Sequence, residues 1–247
     1  MEDLIKTTLI GLFFGTFGTT IGGIIGITIK NTSNKILSFI LALASGLMTS
    51  IVCFDLIPEA QNISSIFNIF IGIICGIATM IICDSFVKNK FSQNQKYKKE
   101  SNSLLKTGII VSIGLALHNL PEGLAIGSGF NASIKLGYAL AVAIALHDIP
   151  EGISMAVPMK NGGMKSGKII FYVVLSGITT GIGALFGAII GNISTSVIAF
   201  CLSFAAGAML YIVSGELMPE SNKLYKGRMT ALGNILGFLL GILATIV

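Results

Sequence analysis

The sequence has little charge and almost no histidine. Charged residues make up 11% of its 247 residues and hydrophobic residues 53%, with two histidines and no tryptophan. A soluble domain normally carries about twice that charged fraction. Together with a mean hydropathy of +0.87, the shortage of charge excludes an ordinary soluble domain. It favours a chain divided into membrane spans of about 20 residues each.

Three further absences narrow the class of function. No Walker-type phosphate loop is present, so ATP-driven pumping has no support. The net charge of +5 comes from lysines in short loops between apolar runs, so we expect no nucleic-acid partner. No two cysteines form a CxxC pair, and all lie in or beside apolar runs, as small buried hydrophobes do: Cys53, Cys75, Cys83 and Cys201.

Eight apolar runs predict an all-α integral membrane protein that forms a single domain over residues 1–247. The runs are Thr8 to Ile29, Ile36 to Ala60, Ile66 to Val87, Leu104 to Phe130, Ile134 to Val157, Ile169 to Ile190, Val197 to Glu220 and Met229 to Val247. The longest connection, residues 88–103, is rich in Lys, Ser, Asn and Gln and cannot bury a core. We therefore expect a mobile loop there.

The basic residues predict the orientation in the membrane. Alternate loops and their edges hold fourteen of the sixteen lysines and arginines, and the other side holds only Lys6 and Lys135. Cytoplasmic loops are enriched in Lys and Arg. The sequence therefore predicts both termini outside and the 88–103 loop in the cytoplasm.

An internal repeat relates the second and seventh spans. Residues 44–60 align without a gap with residues 205–221, and eight of the seventeen positions are identical. Pro58 and Glu59 match Pro219 and Glu220, and Asp55 faces Glu216. These spans run in opposite directions, and inverted repeats are typical of secondary transporters, whose binding site lies where the repeats meet.

A second duplication contains both histidines. The fourth span reads His118-Asn119-Leu-Pro-Glu122-Gly, and the fifth span reads His147-Asp148-Ile-Pro-Glu151-Gly, 29 residues later. Positions separated by three or four residues share one helix face. Each motif therefore directs a histidine, a carboxylate and an Asn or Asp to one side. Such groups are costly at membrane depth, and we interpret their concentration as a divalent metal site.

The donor types indicate which metals would bind. Two imidazoles, three carboxylates and an amide suit zinc, and also iron, manganese, cobalt or cadmium. Met48, on the second span at a similar depth, is either a thioether ligand or a gap-filling core residue. Four further carboxylates near span ends are either candidate pathway residues or interfacial groups: Asp55, Glu59, Glu216 and Glu220. We expect no organic cofactor.

The paired HNLPEG and HDIPEG motifs, the eight spans and the basic loop after the third span resemble the ZIP (Zrt/Irt-like protein) metal transporters, with the GufA-type branch the nearest. The resemblance implies a 3+2+3 arrangement of spans and a homodimer. It also implies uptake of a divalent transition metal, zinc foremost, across the plasma membrane into the cytoplasm.

The resemblance also implies a binuclear metal site on spans four and five, with Glu122 and Glu151 as bridging ligands. One metal would bind His118, Glu122, His147 and Glu151, with Met48 nearby. The second would bind Asn119, Glu122, Asp148 and Glu151.

An intramembrane zinc hydrolase is the alternative function. It would need an open coordination position and a general base, which Glu122 or Glu151 could supply. Two features favour transport. The motif is duplicated in inverted directions, and the sequence has no separate nucleophile or third catalytic cluster.

The orientation is testable by cysteine labelling of intact cells after removal of the native cysteines. We expect Lys135→Cys to react with a membrane-impermeant thiol reagent added outside and Lys96→Cys to remain unlabelled until the cells are permeabilised. Labelling of Lys96→Cys from outside would reverse the predicted topology.

Overall fold

The computed structural model describes residues 2–29, 33–92 and 100–246, and within these ranges it contains helices and no strand. The helices are α1 (Glu2–Thr28), α2 (Asn34–Ile51), α3 (Ile57–Ile63), α4 (Ile66–Ser92), α5 (Glu100–Ala132), α6 (Ile134–Asn161), α7 (Ser166–Gly191), α8 (Thr195–Ile212), α9 (Met218–Leu224) and α10 (Arg228–Ile246). Two π-helical segments, Val52–Leu56 and Val213–Leu217, join α2 to α3 and α8 to α9.

Six helical spans among the described residues are long and apolar enough to cross a bilayer: Glu2–Thr28, Asn34–Ile63, Ile66–Phe86, Ile134–Asn161, Ser166–Gly191 and Thr195–Leu224. The apolar part of α10, Arg228–Leu243, is shorter. The prediction of an all-α membrane protein is confirmed at this level. The predicted 88–103 loop is shorter than expected, since α4 extends to Ser92 and α5 begins at Glu100; residues 93–99 lie outside the described part.

Serine residues begin several of the spans. The Oγ atoms of Ser33, Ser133 and Ser194 each accept a hydrogen bond from the backbone N–H three residues later. Such caps satisfy amides that a helix leaves unpaired at its start. The glycine pair after α6 forms a turn, and Gly163 has φ 84°, a left-handed conformation that glycine adopts without strain.

Proline explains the two π-helical segments. Pro58 and Pro219 lie two residues after their ends, and neither can donate to the carbonyl four residues earlier. The chain instead widens by one residue, with Ile57 N–H donating to the Val52 carbonyl and Met218 N–H to the Val213 carbonyl. Single π-helical turns of this kind are frequent at functional sites. In contrast, α5 continues through Pro121, and α6 through Pro150 and Pro158.

The helices pack in two groups. In the first, α1 packs against α6 and α7, and α5 packs against the same two helices. In the second, α2 packs against α10, and α4 packs against α8. Contacts of α5 with α8 and of α2 with α6 connect the groups. The largest cluster of buried apolar side chains lies between them and includes Met48, Ile144 and Met209.

Glycine allows the helices of each group to approach closely. A Cβ atom at Gly22 would overlap the Ile149 carbonyl oxygen of α6, and one at Gly183 would overlap the Leu120 carbonyl oxygen of α5. Small residues are the usual means of close packing between membrane helices. These contacts hold α1 against α6 and α7 against α5, and so fix the spacing of the helices that bear the duplicated motif.

We expect Gly22→Ala to destabilise the protein by about 1–3 kcal/mol through overpacking, although alanine is the better helix former. Gly114→Ala is the matched control, because a Cβ atom at Gly114 meets nothing within 4 Å. Thermal unfolding in detergent, followed by size-exclusion chromatography, measures both. Equal melting temperatures for the two variants would contradict the close-packing account.

Candidate metal site

The structure brings the six polar residues of the duplicated motif together at the contact of α5 with α6. All six side chains are buried: His118 is 3% exposed, and Asn119, Glu122, His147, Asp148 and Glu151 are fully buried. Both motifs lie within continuous helix, so the four-residue spacing from His to Glu directs both groups to one face. The fold thus buries all six residues on these two helices, and their grouping as one metal site stays a prediction.

Three of these residues form a tight cluster. Glu122, His147 and Glu151 each offer a ligand atom, and these atoms all lie within 4.8 Å of one another. The His147 Nε2 atom lies 3.0 Å from the Glu122 Oε1 atom and 3.5 Å from the Asp148 Oδ1 atom. The second distance is too long for a hydrogen bond. The cluster combines nitrogen and oxygen donors, as zinc and its transition-metal neighbours prefer.

Most oxygen atoms in the site have no hydrogen-bond partner among the described residues. They comprise Glu122 Oε2, both oxygens of Asp148, both oxygens of Glu151 and Asn119 Oδ1. The Nδ1 atoms of both histidines are also unpaired. Buried carboxylates are normally paired or coordinate a metal, because an uncompensated buried charge is costly. The donor set therefore fits a divalent cation.

His118 lies apart from the tight cluster and contacts a different span. Its Nε2 atom lies 3.1 Å from the Oε2 atom of Glu216, whose side chain is 32% exposed. Glu216 belongs to the π-helical segment between α8 and α9. From the sequence, Glu216 is predicted only as a candidate pathway residue or an interfacial group. Its contact with His118 is a tertiary pairing that spacing along the chain does not reveal.

The other predicted residues occupy varied environments. Met48 is fully buried in the largest apolar cluster, which accounts for it as a core residue; its role as a ligand stays a prediction. Asp55 is half-buried in the first π-helical segment, and Glu59 is half-buried in α3. Glu220 is exposed and pairs with Lys223 at 3.3 Å, an exposed pair that contributes little to stability.

The contact of α7 with the site is not predicted from the sequence. The Asn119 Nδ2 atom donates to the Ser176 backbone carbonyl at 3.0 Å and lies 3.3 Å from Ser176 Oγ. These contacts fix the amide so that Oδ1 is left free. Ser176 and Thr180 are one helical turn apart on an apolar span. This spacing of two polar residues on an apolar helix is the sequence signal that could have indicated a contact with the site.

Fold and site together describe a multi-pass membrane protein with a buried cluster of candidate metal ligands. Residues 87–247 match the profile of the ZIP zinc transporter family. The chain is 31% identical to zinc transporter ZupT of Akkermansia muciniphila, over 95% of this chain and 93% of that protein. Zinc transporter GufA of Myxococcus xanthus is 35% identical over 55% of this chain and 54% of its own length.

The chain belongs to the ZIP zinc transporter family. The predicted resemblance is thereby confirmed, as is the prediction of a divalent-metal transporter in preference to an enzyme. The hydrolase alternative has no support from these relatives. Multi-pass membrane insertion agrees with the six spans described above.

The unequal positions of the two histidines predict unequal effects on binding. Because His147 lies in the tight cluster and His118 is held by Glu216, we expect His147→Ala to weaken zinc binding more than His118→Ala. A loss of roughly 10- to 100-fold is typical for weakened metal coordination. Equilibrium dialysis of the purified protein in detergent measures both affinities. A larger loss in His118→Ala would contradict this ranking.

Proposed function

We propose that the protein carries zinc, or a similar divalent transition metal, into the cytoplasm through a binuclear site on α5 and α6. The observation that carries the proposal is the convergence of Glu122, His147 and Glu151 to within 4.8 Å. Both oxygens of Glu151 are buried without a partner there. A cation is the simplest group that satisfies such a cluster, and family membership supplies its role as the transported substrate.

We assign the two metal stations by donor type. The first station takes His118, Glu122, His147 and Glu151, with Met48 as a neighbour. The second takes Asn119, Glu122, Asp148 and Glu151. Each glutamate lies one turn from a histidine on one station and beside an amide or carboxylate of the other, so that its two oxygens can be shared. His118 would bind metal through its unpaired Nδ1 atom, or through Nε2 once its contact with Glu216 at 3.1 Å breaks.

Glu216 is well positioned to exchange metal with the first station. Its carboxylate contacts a proposed ligand while a third of its surface remains exposed. In the predicted orientation it lies on the cytoplasmic side of His118. It would therefore accept the ion that leaves the site toward the cytoplasm. Asp55, in the equivalent segment of the other repeat, would serve the outer entrance. Glu59 and Glu220 lie further along these two paths.

The packing supports a 3+2+3 arrangement with inverted repeats. Helices α2 and α8, the two π-helical segments and helices α3 and α9 all match at an offset of 161 residues. When each helix is replaced by its equivalent in the other repeat, the α2–α10 contact corresponds to the α8–α4 contact. The α1–α6 contact likewise corresponds to the α7–α5 contact. We propose that α5 and α6 form the central pair of one transport domain.

The remaining features of the proposal concern the membrane. The distribution of lysines supports termini outside and a cytoplasmic loop within residues 88–103, and the family resemblance supports insertion in the plasma membrane. Large apolar side chains exposed on α4, such as Phe67, Phe70 and Ile82, fit contact with lipid.

A homodimer remains part of the proposal, and chemical cross-linking in native membranes would test it.

The bridging role of the glutamates predicts which substitutions abolish transport. Glu122→Gln or Glu151→Gln removes a charge shared by both stations, where electrostatic differences are large. We expect uptake of zinc into proteoliposomes at neutral pH to be lost. Asn119→Ala affects only one station and should reduce uptake less.

Asp3→Asn is the control, because Asp3 is exposed in the first turn of α1 and belongs to neither the proposed site nor its paths; we expect its uptake to match the wild type. Elution as a single species in detergent would show that each variant folds. Uptake at the wild-type rate by either bridging variant would exclude the shared-ligand mechanism.

A further inference from the structure

Three hydroxyl side chains form a buried hydrogen-bonded cluster where α2, α9 and α10 meet. Ser38 and Ser221 are fully buried, and Thr230 is 2% exposed. The Ser38 Oγ atom lies 3.1 Å from Ser221 Oγ and 2.9 Å from Thr230 Oγ1. Ser221 Oγ donates to the Ser38 backbone carbonyl at 2.7 Å, and Thr230 Oγ1 donates to the Tyr225 carbonyl at 3.1 Å. We call these three side chains the hydroxyl cluster.

Every hydroxyl proton of the cluster has an acceptor. Ser221 and Thr230 donate their protons to carbonyl oxygens. Each therefore keeps lone pairs that can accept from Ser38, which donates its own proton to one of them. Removal of one hydroxyl would leave a buried donor or acceptor without its partner, which is unfavourable. The hydroxyl cluster therefore holds α9 against α2 and α10.

The equivalent positions of the other repeat carry no hydroxyl. At the offset of 161 residues, the three matching residues are Ala199, Ala60 and Ile69. All three side chains are buried and belong to the largest apolar cluster. Helix α3 packs against α8 there, as α9 packs against α2. One junction is thus held by apolar packing and the other by directed hydrogen bonds, so the repeat itself does not require the hydroxyls.

The hydroxyl cluster supports the segment that carries Glu216. Pro219 lies between Glu216 and Ser221, and it has no N–H to donate to the carbonyl four residues earlier. Helix α9 has only seven residues, and a helical stretch this short depends on tertiary contacts for its stability. The hydrogen bond from Ser221 to α2 is such a contact. The direction of the Glu216 carboxylate therefore depends on how α9 is held.

We propose that Ser221 is a positioning residue, which through the hydroxyl cluster holds the Glu216 carboxylate at its 3.1 Å contact with His118. The inference rests on the role proposed above for Glu216, which receives the ion on the cytoplasmic side. Without the Ser221 hydroxyl, α9 loses its hydrogen bond to α2, and the carboxylate is no longer held toward His118. Transport then slows at the step in which the metal leaves the site.

The first test observes the contact itself and does not require transport. The chain has two histidines, so metal-free protein labelled with ¹⁵N-histidine gives one set of imidazole signals for His118 and one for His147. At one fixed pH, we expect Ser221→Ala to shift the His118 signals in the direction produced by Glu216→Gln and to leave those of His147 unchanged. In the Glu216→Gln background, Ser221→Ala should cause no further shift, because Ser221 acts through that carboxylate.

The second test measures zinc uptake into proteoliposomes. We expect Ser221→Ala to lower the maximal rate about three- to tenfold, which is the effect that the loss of one hydrogen bond commonly has. The variant should not raise KM, because the residues proposed to bind zinc first are unaltered. The two measurements together separate a displaced carboxylate from a general loss of stability.

Ser203→Ala is the matched control. Ser203 is fully buried in α8, but its hydroxyl donates within its own helix, to the Ala199 carbonyl at 2.6 Å. We expect this variant to show wild-type His118 signals and wild-type uptake. If Ser221→Ala does not elute as a single species in detergent, Thr230→Val breaks the hydroxyl cluster from α10 and decides in its place.

Unchanged His118 signals in Ser221→Ala would overturn the inference, and so would a further shift in the Glu216→Gln background. Shifted signals with a wild-type maximal rate would also overturn it, because the contact would then not serve release. Wild-type protein that carries no zinc would overturn the proposed function, whereas the histidine signals would still show whether Ser221 positions Glu216.

Discussion

The structure depends on compensating several carboxylates buried in a low-dielectric environment. Glu122, Asp148 and Glu151 are fully buried, and most of their oxygens have no partner among the described residues. One histidine, His147, contacts Glu122 at 3.0 Å, but a single imidazole cannot satisfy three carboxylates. A bound divalent cation would neutralise two of these three negative charges. In the proposed function, the uncompensated charge of the cluster would therefore provide the affinity for the metal.

Helix packing makes this cluster possible. Five carboxylate and imidazole groups can converge only if their helices are held at a fixed and short separation. Glycines on α1 and α7 allow backbone contact with α6 and α5, so the motif-bearing helices are supported from both sides. The convergence of the buried polar groups therefore depends on the close packing of the helices around them.

Much of this was predictable from local spacing. The His-x-x-x-Glu pattern fixes one helix face whatever surrounds it, so the cluster of Glu122, His147 and Glu151 follows from the sequence together with the pairing of α5 and α6. The contact of His118 with Glu216 and that of Asn119 with Ser176 were not predictable. They join residues about 98 and 57 positions apart, and only the packing of distant helices decides them.

The two copies of the motif are equivalent in sequence but not in their surroundings. His147 turns into the cluster, whereas His118 is drawn to Glu216 of the seventh span. The repeat equivalent of Glu216 is Asp55, which is one methylene shorter and sits in the matching π-helical segment. A shorter carboxylate has less reach toward the motif on its side. Among the described residues Glu216 contacts His118, whereas Asp55 contacts neither histidine, so the duplicated sequence builds a site with two unequal ends.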